Sequence, residues 1–280
     1  SSNKLRLFSS YAGEGKEGLT YAQAARWLLS VNGYDDTSAK PKGKGLPSVG
    51  AGWLGKLGYI QAQGSNLFET LMLNLTLLKD GVELWGENHP CWELDEPRSA
   101  ERTEIALPDN PAQLLTLQSR RLLLHRTEGM VDGYFALGGD FFSKENAFAE
   151  QMTVWRNAAK KNEPAVFVPC RHDPARQFWR EFPAVFCQDS GHRPGVVRWT
   201  EKLQEQRLGI LDSRRKVHFR IVGGLYATQN HIEDIFSDSL TFQAGLLDEL
   251  SCEWQERIVR EINNCEKAAQ CVGYLAQDIA

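Results

Sequence analysis

The chain has 280 residues, 42% of them hydrophobic and 10% aromatic, with a net charge of −4. That is enough apolar material for a sizeable core, which excludes a disordered tail, and no run of about 18 apolar residues offers a membrane-spanning helix. The acidic balance excludes a global basic field, so any polyanion site has to be a local patch.

The chain opens on Ser-Ser-Asn-Lys, without an initiator Met or a signal-peptide pattern, and reads as a piece of a longer protein. GEGKEG, residues 13–18, approaches a phosphate-binding loop. Glu17, however, stands where a Ser or Thr has to hold magnesium, and its charge repels phosphate. Residues 20–31, TYAQAARWLLSV, predict a helix capped by Thr20, with Ala22, Ala25, Leu28 and Leu29 as its apolar stripe.

From Thr37 to Phe68 there are four lysines, Lys40, Lys42, Lys44 and Lys56, and no acid. Within this stretch, KPKGKGLPSVGAGWLGK (40–56) also holds five glycines. Such a segment is a nucleotide-binding loop, a linker, or a backbone surface that approaches a polyanion; a plain solvated face is the bland reading of the same charges. LPSVG resembles a nucleophile elbow around Ser48, but Leu46 replaces a required Gly.

GYIQAQG predicts a short strand. SNLFETLMLNLTLLKDG predicts a helix, with Asn66 and Glu69 as a capping box, Leu67, Leu71, Leu75 and Leu78 as a buried face, and Lys79-Asp80-Gly81 closing it. Pro90, Pro97, Pro108 and Pro111, set among acids, mark an extended surface excursion. AQLLTLQSRRLLLHR (112–126) predicts a helix carrying Arg120, Arg121 and Arg126, and residues 131–190 read as irregular α+β. Inside that region RHDP, Arg171–Pro174, is a surface turn or half of an acid–base site.

KVHFRIVGGLY and HIEDIFSDSLTF predict the two strands of a β-hairpin, with Gln229 and Asn230 near its tip. Beyond Gln243, Leu247, Leu250, Trp254, Ile258, Ile262 and Cys265 recur at helical spacing, giving one long amphipathic helix or two. The six cysteines form no CxxC pair and the six histidines no HxxxH or HExxH, so the thiols read as free and no metal or other cofactor is expected. The fold class is α+β: an irregular mixed domain over residues 1–242, ending in the hairpin at 216–242, then the start of a C-terminal helical bundle at 243–280.

Four stretches in order, LFSSYAGEGKEGLTYAQAARWLL, GLPSVGAGWLGKLGYIQAQGSNLFETLMLNL, LLTLQSRRLLL and FRIVGGLYATQN, resemble the CasA family, the large subunit of the type I-E CRISPR surveillance complex Cascade. The resemblance implies a longer protein, extended at both ends and finished by a four-helix bundle. It implies a non-catalytic, cytoplasmic role: inspecting double-stranded DNA for a short adjacent motif from the minor-groove side, helping to open the duplex, and recruiting a helicase-nuclease. Other Cascade subunits and the CRISPR RNA are the implied partners, and sequence beyond the motif is left to RNA pairing.

Carried over by position, a DNA-approaching loop falls on Phe8, Ser9 and Ser10, and a glycine loop on Gly43, Lys44 and Gly45. Lys40, Lys42 and Lys44 are placed to neutralise phosphates. The wedge hairpin has its glycine pair at Gly223-Gly224 and its duplex-opening glutamine at Gln229, followed by Asn230. Gly223-Gly224 as a hairpin bulge and Gln229 as a polar turn residue are the bland alternatives. The zinc-binding cysteine pairs of some members have no counterpart here, and a lysine finger has only Lys160 and Lys161 as candidates by charge. Beside this stands an enzyme alternative, a hydrolase or transferase with a site near Ser48 or His172.

Overall fold

The structure, a computed structural model, describes residues 18–34, 52, 54–79, 83–93, 105, 106, 108, 110–138, 141, 142, 150–161, 163, 164, 167–187, 193–205, 209–226 and 232–279. It is α+β. The chain runs β1 (Leu19–Thr20), α1 (Tyr21–Tyr34), a 3₁₀ turn (Leu54–Lys56), β2 (Tyr59–Gln63) and α2 (Leu67–Leu73). Next come β3 (Leu78–Lys79), β4 (Glu83–Leu84), β5 (Ile105–Ala106), α3 (Pro111–Leu115), β6 (Arg120–Thr127), β7 (Met130–Gly138) and β8 (Phe141–Phe142). The second half has β9 (Val154–Asn157), β10 (Phe167–Cys170), α4 (Phe182–Phe186), α5 (Gly195–Lys202), β11 (Lys216–Tyr226), β12 (Ile232–Gln243) and α6 (Cys252–Ile279).

α1 begins on a reciprocal box: the Thr20 hydroxyl accepts from the Gln23 N–H at 3.3 Å, and the Gln23 amide oxygen accepts from the Thr20 N–H at 2.9 Å. Its buried face is not the predicted stripe. Ala24 is buried while Ala22, Ala25 and Leu29 are exposed, because the helix rolls its Ala24–Trp27–Leu28–Val31 side inward.

α2 is much shorter than its leucine spacing predicts. Asn66 caps it through Glu69 N–H at 2.9 Å, but Glu69 reaches back to Ser65 rather than to Asn66. The helix stops because the Asn74 amide is taken by β2, accepting from Ala62 N–H at 3.0 Å and donating to Ala62 carbonyl at 2.6 Å. Thr76, at φ 40°, then turns the chain away. Only Leu73 of α2 is buried; Leu67, Leu71 and Leu75 are exposed, contrary to the expected buried face.

The helix expected over 112–126 is instead α3 followed by strand β6. Asn110 caps α3, with Pro111 at its first position. β6 pairs antiparallel with β7 across Glu128-Gly129, both at positive φ (50° and 81°), the backbone a tight hairpin turn requires.

The core lies where a three-stranded sheet, in the order β12-β11-β2, meets α4, α5 and α6. Alternate residues of β11, Val217, Phe219 and Ile221, are buried against it. Phe186 of α4 sits at its centre, with ring centroids of Phe178, Phe182, Phe219 and Phe242 at 5.8, 5.3, 5.0 and 4.9 Å. α6 rests on this core through Gln255 and Ile262 and leaves Trp254 and Cys265 exposed, as is Leu250 in the turn before it, so only part of the predicted stripe is covered. No helix among the described residues is long and apolar enough to cross a membrane.

Candidate nucleic-acid interface

Phe8, Ser9, Ser10, Lys40, Lys42, Gly43, Lys44, Gly45, Gln229 and Asn230 all lie outside the described residues, as does Ser48. The residues that flank two of these groups are described, and they converge on one corner of the sheet.

The hairpin is built to carry residues 227–231 on a rigid stem. β11 pairs with β12 from Lys216↔Gln243 to Tyr226↔Ile232, and with β2 from His218↔Gln63 to Val222↔Tyr59. Past Val222 the third strand ends, and β11 and β12 continue as a two-stranded ribbon. The bulge falls between Leu225 and Tyr226, not at Gly223-Gly224. Gly223 instead makes room for the ring of Phe236, its cross-strand partner: a Cβ there would lie 2.5 Å from Phe236 Cζ.

β2, on the other flank of β11, has its outer backbone groups satisfied by side chains and neighbouring chain. Gly58 N–H donates to Thr153 Oγ1 at 2.8 Å and Thr153 Oγ1 donates back to Gly58 carbonyl at 2.9 Å. Ile60 N–H donates to Met152 carbonyl at 2.7 Å, and Asn74 serves Ala62. Glu150 lies beneath this edge and accepts from Met152 N–H at 2.8 Å. Burial pushes its carboxyl up to about 7, against the pull of the Met152 and Thr153 N–H groups.

The corner itself is made by backbone contact and by phenols. Tyr34, the last residue of α1, precedes residues 35–51; Gly52 follows them. A Cβ on Gly52 would lie 2.2 Å from the carbonyl carbon of Gly33 and 2.3 Å from Tyr34 N, so the two ends of the lysine-bearing segment touch backbone to backbone. Tyr226, the last residue of β11 before residues 227–231, donates its hydroxyl to Tyr34 carbonyl at 3.1 Å. Gly55 lies under that phenol, where a Cβ would be 1.8 Å from Tyr226 Oη. The half-buried Tyr59 phenol shares a hydrogen bond with the Tyr34 side chain; desolvation, then neighbouring Tyr34 and Glu150, hold its pKa well above the usual phenol value. The flanks of 35–51 and of 227–231 therefore share one clasp.

α1 is fixed at the same end from inside. Asn32 Oδ1 accepts from Arg120 N–H at 2.9 Å, and the Arg120 guanidinium donates to Val31 carbonyl at 3.1 Å, a cation at a helix C-terminus. Arg120 and Arg121 are both buried, which places them in the scaffold. Sequence patterns do not single out Tyr34, Gly52, Gly55 or Tyr226. The dense glycines and the GGLY motif are visible signals, but nothing local joins residues 192 apart in the chain.

The enzyme candidates are less well placed. Asp173 closes an exposed turn, its carboxylate accepting from Ala175 N–H at 2.9 Å. His172 packs edge-on to Phe178 at 6.2 Å and against Gly58, and burial lowers its pKa against the opposing pull of the Tyr59 and Gly58 backbone. RHDP is thus a turn over a packed imidazole. Lys160 and Lys161 lie between β9 and β10, with Lys160 carbonyl accepting from Glu163 N–H at 3.0 Å. All six cysteines are free thiols, and no group of three or more metal-binding side chains occurs among the described residues.

Comparison with known proteins gives this corner a context. The family model for CRISPR-associated protein Cse1 matches residues 1–280. A curated relative from Thermus thermophilus, CRISPR-associated protein CasA/Cse1, is 25% identical over 285 residues, covering 100% of this chain and 53% of its own length. The crystal structure of Thermobifida fusca Cse1 superposes with a TM-score of 0.72 at 28% identity, covering 94% of this chain and 53% of that one. A chain of a CRISPR RNA-guided surveillance complex shares the fold at a TM-score of 0.56 and 23% identity, covering 92% of this chain and 50% of its own. The chain spans about half the length of the relatives it matches. With the whole of its sequence matched, the chain belongs to the CRISPR-associated Cse1 family.

Proposed function

We propose that the chain is the DNA-inspecting part of the large, non-catalytic subunit of an RNA-guided CRISPR Cascade complex of type I-E, working in the cytoplasm in antiviral defence. In this reading it recognises a protospacer-adjacent motif in double-stranded DNA, helps to open the duplex beside it, and recruits a helicase-nuclease. Its other partners are the CRISPR RNA and the remaining Cascade subunits. The observation that carries the reading is the shared corner: the flanks of the lysine-and-glycine segment and of the Gln229 segment meet at Tyr34, Gly52, Gly55 and Tyr226. One duplex can therefore meet both segments at once.

Each part has a physical role. Lys40, Lys42 and Lys44 neutralise phosphates without reading sequence. Backbone amides around Gly43 and Gly45, with Phe8, Ser9 and Ser10, face the minor groove, whose coarse A·T against G·C code makes motif reading permissive. Gln229, with Asn230 beside it, is pushed into the base stack. Residues 1–242 form the inspecting domain and 243–280 open a helical bundle; the exposure of every α6 residue from Lys267 to Ile279 supports that division.

The lysine assignment has its own test. Replacing Lys40, Lys42 and Lys44 by Ala in the assembled complex is expected to reduce the log–log salt slope of duplex binding by roughly one unit per lost phosphate contact, about three in all. Binding isotherms at a series of salt concentrations measure it. An unchanged slope would assign the lysines to ordinary solvated surface.

A further inference from the structure

We infer that Tyr226 is a positioning residue that couples the two DNA-facing segments, so that binding of the duplex at one is transmitted to opening at the other; the inference rests on the proposed function above. The lysine segment begins at Tyr34 and ends at Gly52, and these two residues are held backbone to backbone. The Gln229 segment begins after Tyr226 and ends before Ile232, and these two residues are paired across the hairpin. Among the described residues, the Tyr226 hydroxyl bridges the two pairs by donating to Tyr34 carbonyl at 3.1 Å.

The surroundings are shaped to this phenol. Any side chain at Gly55 would overlap the hydroxyl, and a Cβ at Gly224 would crowd the ring at 3.1 Å from Cε2. Tyr59 adds a third phenol, bonded to the Tyr34 side chain and held on β2 by the Gly58–Thr153 and Ile60–Met152 hydrogen bonds. β2 in turn pairs with β11 only as far as Val222. Beyond that point the phenol clasp ties the ribbon to the end of α1. A displacement of the α1 end by bound DNA would thus be felt at residues 227–231 through the Tyr226 hydroxyl.

Tyr226→Phe removes the hydroxyl and keeps the ring. In complex assembled with the full-length protein, opening of a motif-bearing duplex is expected to slow roughly fivefold, the effect of one lost hydrogen bond. Binding of the same target with its bases already unpaired and the salt slope should stay as in wild type, and the thermal midpoint should fall by no more than about 4 °C. The double variant with Gln229→Ala should open the duplex no more slowly than Gln229→Ala alone, because the clasp acts through that segment. Gly55→Ala, which forces the phenol aside, should reproduce the opening defect at least as strongly. If Tyr226→Phe opens the duplex at the wild-type rate, or if its effect multiplies fully with that of Gln229→Ala, the coupling is overturned while the wedge reading stands. If Gln229→Ala alone opens duplex normally, the wedge reading fails and the coupling fails with it.

Discussion

Phe186→Ala is expected to destabilise the protein by about 3–5 kcal/mol, a lowering of the thermal midpoint by roughly 8–15 °C. Phe186 is fully buried and touches four other aromatic rings, two of them, Phe219 and Phe242, on the two strands of the hairpin. Truncation removes the transfer free energy of the ring and leaves a cavity between α4 and the sheet. Five interlocked rings with Val185, Val196 and Val197 around them cannot collapse far into that space. Denaturant unfolding measures the loss as a shift in midpoint at constant slope. A loss below about 1 kcal/mol would mean that the cluster repacks around the missing ring.

Gln229→Ala is expected to slow opening of a motif-bearing duplex by about ten- to a hundredfold. Separating one base step costs a few kcal/mol, and the inserted side chain offsets part of that cost with hydrogen bonds to the exposed base edges. A target that is already unpaired needs no such help, so its binding should change less than about twofold. Fluorescence of a base analogue beside the motif follows opening directly. Equal losses on both targets would place Gln229 in general binding rather than in opening.

The hairpin is legible in the sequence because its pattern is strict. Val217, Phe219 and Ile221 alternate with exposed or half-buried residues, and two long runs flank a short polar link. The leucine spacing overstates α2 because it continues to Leu78 after the backbone has left the helix. Asn74 gives its amide to β2, a contact that no local pattern announces. The β6–β7 hairpin looks helical in sequence because RRLLLHR sets three leucines together between basic residues, without alternation, and Glu128-Gly129 is not among the commonest turn pairs. The glycines are legible as places of close approach, but not the nature of what approaches. Gly52 and Gly55 meet the protein's own backbone and a phenol. The clasp is not legible at all, since Tyr34 and Tyr226 belong to different elements and meet only through the packing of α1 against the sheet corner.

The measurement that tests the shared corner most directly is site-specific cross-linking in the assembled complex. A photo-reactive residue in place of Lys42, and separately in place of Gln229, would be activated on a duplex bearing the adjacent motif, and the marked nucleotides mapped. If the two segments form one DNA surface, both positions mark the duplex within about half a helical turn, ~5 base pairs, of the motif. Marks separated by more than about a full turn, or none from position 229, would contradict the account.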